Sequence, residues 1–470
     1  MGKYAPTVHY WRRKKAQLRG TQEMQENPAG EAEWPDPRYG WFVTGILLVA
    51  FTFSFVDRQV LNLLVEPIQQ DLKISDTQIS FLQGLAFVFT YVTMSVPLGR
   101  MVDRYNRVAI MIGGVAVWSA TTIACGLSRT YSQLVLARLG VGAGEAALSP
   151  AAWSVLSDYF KPDRLSRPIS VYLMGPYLGA GIAMIAGAEV LDWTREVDEV
   201  VMPLVGALKP WQFTFIAVGL PGVLIAALLM AIREPKRKGR AADASKAPPW
   251  SEVFNYLWAH KRIYLALHLG VPFFVVMLYG LQAWIPTVMV RVYEWDLAHA
   301  GRVYGVIALV AGSAGVLSGP SVARFLEARG VEDFPMRLGM TGAAGASVCL
   351  MLLPWQTDPY LGLACIALAS FFVTLPLALI TTAMQFVTPN DMRGVVAGMY
   401  VVTTNVIGLA LGPTLVAAST DYIFADPKAV AKSLGLVSLI VGPISVALLY
   451  VGRKPYVERV REFKASLASG

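Results

Sequence analysis

Twelve apolar stretches, each long enough to cross a bilayer, run through this chain at roughly 40–62, 77–99, 108–127, 132–157, 168–188, 212–232, 263–290, 300–323, 337–355, 360–387, 395–420 and 433–452. A membrane-spanning helix needs about 20 mostly apolar residues. In lipid its backbone N–H and C=O groups must be satisfied within the segment, which makes helices of such runs. The fold class read from this is all-α and integral to the membrane, with twelve transmembrane helices. Composition agrees, since 55% of the 470 residues are hydrophobic and 15% are charged, against about 25% charged in soluble proteins. An ordinary soluble enzyme is excluded.

The net charge of +8 raises nucleic acid as a partner, so the placement of the basic residues decides. With an even number of spans both termini share a side. Only Lys73, Arg129, Arg195, Lys209, Arg291, Arg302, Lys428 and Lys432 fall on the opposite side, and Arg58 and Arg138 lie inside spans. The rest flank spans on the side of the termini, which the positive-inside rule makes cytoplasmic. The charge is topological and no nucleic acid is expected. Arg12-Arg13 is followed by Lys14-Lys15 and no apolar run begins until about residue 41, so a twin-arginine signal is not read here. Cys125, Cys349 and Cys365 sit singly in apolar segments and read as packing thiols.

The expected organisation is a cytoplasmic tail over 1–39, a six-helix half over 40–233, a cytoplasmic linker over 234–262, a second half over 263–453 and a tail over 454–470. The linker opens with the charged, Pro-rich run Glu234 to Pro249. It continues with Trp250, Val253, Phe254, Leu257 and Trp258 at helical spacing, an amphipathic strip suited to the bilayer interface. The halves echo each other weakly. Gly99 to Arg104 ends span 2 as Gly319 to Arg324 ends span 8, with Ala323 where Asp103 stands. Gly175-Pro176 in span 5 echoes Gly412-Pro413 in span 11 as candidate hinges. Interrupted helices in corresponding positions of two halves mark transporters, with the substrate site near mid-membrane.

No phosphate loop, zinc motif or His and Cys cluster is present, so the chain is read as a non-enzyme that needs no cofactor and no metal. Of His9, His260, His268 and His299, only His268 falls within a span, where it reads as a packed polar residue. Intramembrane charge is more telling, because each such group costs about 2.5–3.5 kcal/mol at the bilayer centre and marks function. Asp57 and Arg58 in span 1, and Arg138 and Glu145 in span 4, are such residues, all in the first half. Arg138 and Glu145 are two turns apart on one face. Asp57 and Arg58 point about 100° apart. The expectation is that Asp57 and Glu145 include the proton-binding group, with Arg58 and Arg138 as counter-charges that exchange between a carboxylate and an anionic substrate.

The loop Gly99 to Val108 is expected to act as a cytoplasmic latch. Gly99 would allow close packing, Asp103 would sit at a helix N-terminus, and Arg104 and Arg107 would bridge to acids. Asp158, Asp163, Arg164 and Arg167 are candidate partners. For an apolar substrate portion, Met277, Tyr279, Trp284, Phe371 and Tyr400 are the expected cavity wall, with Phe372, Met399 and Asn405 nearby.

These motifs identify a family resemblance. The two sets of six spans, Gly99-x-x-x-Asp103-Arg104-x-x-Arg107 and Arg138-Leu139-Gly140-Val141-Gly142 resemble the major facilitator superfamily. Within it, FVDRQVL (Phe55 to Leu61), DRYNR (Asp103 to Arg107) and the run Arg138 to Phe160 resemble the Spinster family of lipid transporters, over about residues 50–190. The resemblance implies two pseudo-symmetric six-helix halves and alternating access. It also puts Asp57, Arg58, Arg138 and Glu145 on positions tied to proton coupling and substrate handling. Its implied substrates are lysophospholipids or sphingoid lipids such as sphingosine-1-phosphate. Asn106, Val108 and Ala323 depart from the loop pattern, and the last leaves a matching latch in the second half without its acid. The expected protein is a monomeric proton antiporter of the bacterial inner membrane carrying an amphipathic substrate. Alternatives are a carrier of a small organic anion such as a sugar acid, and a non-transporting sensor.

Overall fold

The computed structural model describes residues 34–161, 164–203, 205–237, 249–389 and 392–468. The first 33 residues, most of the charged linker and Asp163 lie outside the described residues. Among the described residues, ten helical stretches are long and apolar enough to span a membrane: Pro37–Leu63, Asp76–Arg104, Arg107–Leu127, Arg167–Trp193, Pro210–Leu229, Lys261–Arg291, Leu297–Ala328, Phe334–Trp355, Arg393–Phe424 and Pro427–Glu462. These are spans 1, 2, 3, 5, 6, 7, 8, 9, 11 and 12.

Spans 4 and 10 are each broken in two, as Tyr131–Glu145 with Leu148–Tyr159 and Pro359–Thr374 with Leu377–Val387. The cause is proline. Pro150 and Pro376 lack an N–H, and each ring crowds the carbonyl four residues earlier, at Ala146 and Phe372. The sequence reading took both spans as continuous. The fourth helix of each half is thus interrupted, and the first break falls directly after Glu145; shorter breaks also divide spans 5 and 6. The Gly175-Pro176 echo also marks a helix start, between Ser166–Tyr172 and Gly175–Trp193. Gly412-Pro413 lies just past a π-helical stretch, Thr404–Ala410. Between spans 5 and 6 lies an unforeseen two-stranded ribbon, Val200–Met202 paired antiparallel with Gly206–Leu208. Gly206 enters its strand at φ +93°, which glycine alone adopts without strain.

The halves meet along spans 1, 2 and 5 of the first and 7, 8 and 11 of the second. Glycines make the closest approaches. A Cβ on Gly84 of span 2 would lie 2.6 Å from the Leu409 carbonyl oxygen of span 11. Gly181 of span 5 and Gly305 of span 8 would each bring a Cβ to 3.0 Å from the other's carbonyl. Within the first half, a Cβ on Gly142 would lie 2.4 Å from the Phe87 carbonyl oxygen and 2.5 Å from Thr90 Oγ1. Gly142→Val is therefore expected to destabilise by about 1–3 kcal/mol or more through overpacking, whereas Gly45→Ala, with no atom within 4 Å, is expected to be neutral. Melting curves of the purified variants check this.

Polar ties between the halves gather on the side remote from the termini. Arg291 at the end of span 7 pairs with Glu66, with Asp76 at 2.7 Å and with Gln69 Oε1 at 2.7 Å. The Thr77 N–H and hydroxyl both donate to Asp421 Oδ2, at 2.7 and 2.6 Å. Arg302 of span 8 reaches Glu189 and Asp192 of span 5, each at 3.2 Å. On the side of the termini, Arg107 pairs with Asp158 and Glu234, Arg453 with Asp333 and Arg461 with Glu332. The ion pairs seen between the halves thus lie on the far side. Arg291 and Arg302, which the sequence reading counted only among the basic residues opposite the termini, are cross-half ties. Asp296 caps span 8 by accepting from the Ala298 and His299 N–H groups.

In this structure the loop after span 2 is only partly engaged. A Cβ on Gly99 would meet no atom within 4 Å, so this glycine makes no close packing here. Arg104 is exposed and carries no ion pair among the described residues. Arg107 does bridge acids, and it is 1% exposed, tied to Asp158 and Glu234 and donating to the Pro235 carbonyl. Arg237 in turn donates to the carbonyls of Val102, Asp103 and Tyr105. The loop fastens the first half to the segment that leaves it.

Candidate functional site

Span 1 presents Asp57 and Arg58 on adjoining faces, as their spacing requires. Asp57 turns to span 3, where Thr122 Oγ1 donates to its Oδ2 at 3.3 Å. Arg58 turns to span 4 and donates to Glu145 Oε2 at 2.5 Å. Three aromatic rings close around the guanidinium, with its carbon 4.4 Å from the centroid of Phe55, 4.2 Å from Phe87 and 5.6 Å from Tyr91. Arg138 is fully buried and makes no carboxylate ion pair among the described residues. Its Nε donates to the Leu82 carbonyl and its Nη1 to the Asp57 carbonyl, each at 3.3 Å.

The sequence named four intramembrane charges, and the fold brings all four into one cluster. It is balanced in formal charge and incompletely bonded. Asp57 Oδ1, Arg58 Nε, Arg138 Nη2 and Glu145 Oε1 are buried and have no hydrogen-bond partner. Buried polar atoms are bonded in the great majority of cases. A cluster in which each member keeps a spare bonding atom can change partners without breaking all of its bonds.

Arg58 also faces the second half. A narrow cavity is lined by Arg58, Gln59, Asn62 and Gln83 on one side and by Tyr279, Ala283, Leu409 and Pro413 on the other. Beside it runs a ladder of amides. Gln83 donates to Asn62 at 3.1 Å, Asn62 to Gln59 at 2.6 Å, and Gln59 across the interface to Gln282 at 2.8 Å. The sequence reading missed this ladder because it weighed charges alone. Four amides in apolar spans were the available signal, since each costs free energy when buried without a partner. Gln282 opens onto a second narrow cleft, shared by Tyr177 and Ala180 with Leu278, Tyr304, Ser370 and Thr374.

Of the expected apolar wall, Tyr279 alone lines the cavity with Arg58. Met277 and Trp284 are buried in helix packing, Trp284 donating to the Pro413 carbonyl at 3.0 Å. Tyr400 is 8% exposed, edge-on to His268 at 6.1 Å. Phe371 packs against Ala323, Leu338, Leu375 and Leu379. These side chains fill space between helices of the second half, because large apolar groups there find better cover in packing than in a polar cleft.

The geometry of a two-half helical bundle with a polar cluster at its centre is matched by sequence comparison, in which the sequence model of the Major Facilitator Superfamily covers residues 47–413. The chain belongs to the major facilitator superfamily. Relatives within the superfamily include an MFS-type efflux pump of Mycolicibacterium smegmatis, 27% identical over 86% of this chain and 90% of that protein. They also include the sphingosine-1-phosphate transporter SPNS2 of Xenopus tropicalis, 22% identical over 83% of this chain and 76% of that protein. Among solved structures, a bacterial homologue of the human lysosomal transporter Spinster, in an inward-facing and unoccupied conformation, superposes with TM-score 0.72 at 23% identity, covering 93% of this chain and 99% of that one. The family and fold are those of multi-pass membrane transporters.

Proposed function

We propose that this chain is a proton-coupled secondary transporter that works by alternating access and exchanges protons for an amphipathic, anionic lipid such as a lysolipid or a sphingoid phosphate. The observation that carries this is the cluster of Asp57, Arg58, Arg138 and Glu145, each with an unpartnered buried atom, beside a cavity shared by both halves. Adding a proton to a carboxylate of a charge-balanced cluster leaves one guanidinium in excess. Arg58, already at the cavity wall, is then free for an anionic head group, and substrate arrival and proton loss compete for the same arginine. Asp57 and Glu145 are the proton-coupling residues in this scheme, and Arg58 and Arg138 the counter-charges.

The basic residues orient the chain with both termini in the cytoplasm, which makes the side of the termini the inner side and puts the ties of Arg291 and Arg302 on the outer side. The inner membrane of a bacterium is the proposed location and a monomer the proposed form. Domain limits follow the expected 40–233 and 263–453 halves. In the outward-facing state the loop of Asp103, Arg104 and Arg107 would close against the second half. A lipid substrate draws support from the relatives, which include a sphingosine-1-phosphate transporter. Against a small polar anion, Ser370 and Thr374 in the second cleft already donate to the carbonyls of Ile366 and of Gly312 and Ser370, leaving few free donors for a hydrophilic ligand.

Uptake of labelled lysophosphatidylglycerol or sphingosine-1-phosphate into proteoliposomes under an imposed pH gradient tests the proposal. Gradient-driven uptake is expected for the native chain and a fall to the empty-liposome level for Asp57→Asn. Uptake that ignores the gradient in both proteins would end the proton coupling, and no uptake of either lipid by folded protein would end the lipid assignment.

A further inference from the structure

The flank of the second half carries a groove that central transport does not use. Span 7 begins at Lys261 and passes span 12 near Gly452. A Cβ on Gly452 would lie 2.5 Å from the Ala266 Cβ and 3.0 Å from the Arg262 carbonyl oxygen, so glycine permits the contact. The approach sets Arg262 beside Arg453 and Lys454 in a groove completed by Tyr450, Val451 and Pro455 with no carboxylate in its lining. Arg453 is partly engaged, by an ion pair with Asp333 at 2.6 Å and by the Tyr450 ring at 5.4 Å. Arg262 and Lys454 are exposed, and neither has a carboxylate partner among the described residues. Tyr450 and Val451 are 60% and 52% exposed. Nearby, Trp258 at 74% exposed has the Lys261 ammonium 4.8 Å from its ring.

Exposed aromatic rings beside basic residues at the end of a spanning helix mark the membrane–water interface. A pocket that is cationic at its mouth and apolar along its wall there has the charge and shape of an anionic lipid's complement. We propose that this groove binds an anionic diacyl phospholipid of the phosphatidylglycerol class, its phosphate between Arg262 and Lys454 and its chains along Tyr450 and Val451. The groove lies apart from both cavities between the halves, so the assignment does not depend on which substrate is carried.

Native mass spectrometry of the full-length chain, titrated with dioleoyl phosphatidylglycerol or dioleoyl phosphatidylcholine, tests it. The native chain is expected to retain phosphatidylglycerol preferentially. The double variant Arg262→Gln/Lys454→Gln is expected to lower that affinity at least about tenfold, since two cations near the membrane surface are lost, and to leave phosphatidylcholine retention unchanged. Val451→Glu, which keeps both cations and sets a carboxylate in the groove, is expected to act in the same direction and covers the case of a double variant that fails to fold. Arg195→Gln/Lys432→Gln, on the opposite side, is expected to match the native chain. Equal retention of the two lipids by the native chain, native-like retention by folded groove variants, or displacement of the lipid by millimolar glycerol phosphate would each overturn the proposal.

Discussion

Glu145→Ala is expected to destabilise the protein by about 3–5 kcal/mol, the usual cost of removing one partner of a buried ion pair. Arg58 is 8% exposed and Glu145 is its only carboxylate partner among the described residues. The rings of Phe55, Phe87 and Tyr91 would remain, but a cation–π contact contributes about 0.5–2 kcal/mol and does not replace a charged acceptor. Glu145→Gln keeps an acceptor oxygen for the Arg58 bond and is expected to lose less. In the double variant Arg58→Met/Glu145→Leu no charge is stranded, so stability is expected to return towards the native value while transport stays absent. Melting curves together with proteoliposome uptake separate the two effects. Native-like melting of Glu145→Ala would refute the buried pair, and transport by the folded double variant would remove Arg58 and Glu145 from the exchange.

The contrast between the charges and the amides shows what the sequence made legible. Asp57, Arg58, Arg138 and Glu145 stood out because the penalty for an intramembrane charge is large, and helical spacing correctly set Arg138 and Glu145 on one face. Which arginine met which acid was not readable. That depends on how span 1 lies against spans 3 and 4, and the structure gives Arg58 to Glu145 while Arg138 holds the Asp57 backbone instead of its carboxylate. Gln59, Asn62, Gln83 and Gln282 carry no net charge, so their joint role became visible only when spans 1, 2 and 7 were brought together. The twelve apolar runs gave the fold class, because bilayer thickness sets a minimum length. The breaks in spans 4 and 10 left no gap in hydrophobicity, yet Pro150 and Pro376 were present as signals. Large apolar residues were the least readable, since Met277, Trp284 and Phe371 serve packing as readily as they would a cavity.

Arg291→Ala is expected to open the side of the bundle remote from the termini. Arg291 reaches across the interface from span 7 to Glu66, Asp76 and Gln69 of the first half, with a forked grip on Asp76 at 2.7 and 2.8 Å. Hydrogen bonds to charged groups contribute about 1.5–3 kcal/mol each, and exposure of the open state to water returns part of that. A net loss of about 1.4 kcal/mol already shifts a two-state equilibrium tenfold. Without the guanidinium, Glu66 and Asp76 are left as like charges facing the second half, which adds repulsion to the lost attraction. Arg291→Lys keeps the charge and loses the fork, so its shift is expected to be smaller and in the same direction. The measurement is the spin–spin distance between labels at Lys73→Cys and Lys428→Cys, with Cys125, Cys349 and Cys365 replaced by alanine. A growing population at longer distance in the order native, Arg291→Lys, Arg291→Ala is the expected result. An unchanged distance distribution in Arg291→Ala would assign the closure to the remaining ties, Thr77 with Asp421 and Arg302 with Glu189 and Asp192, and to the glycine contacts of spans 5 and 8.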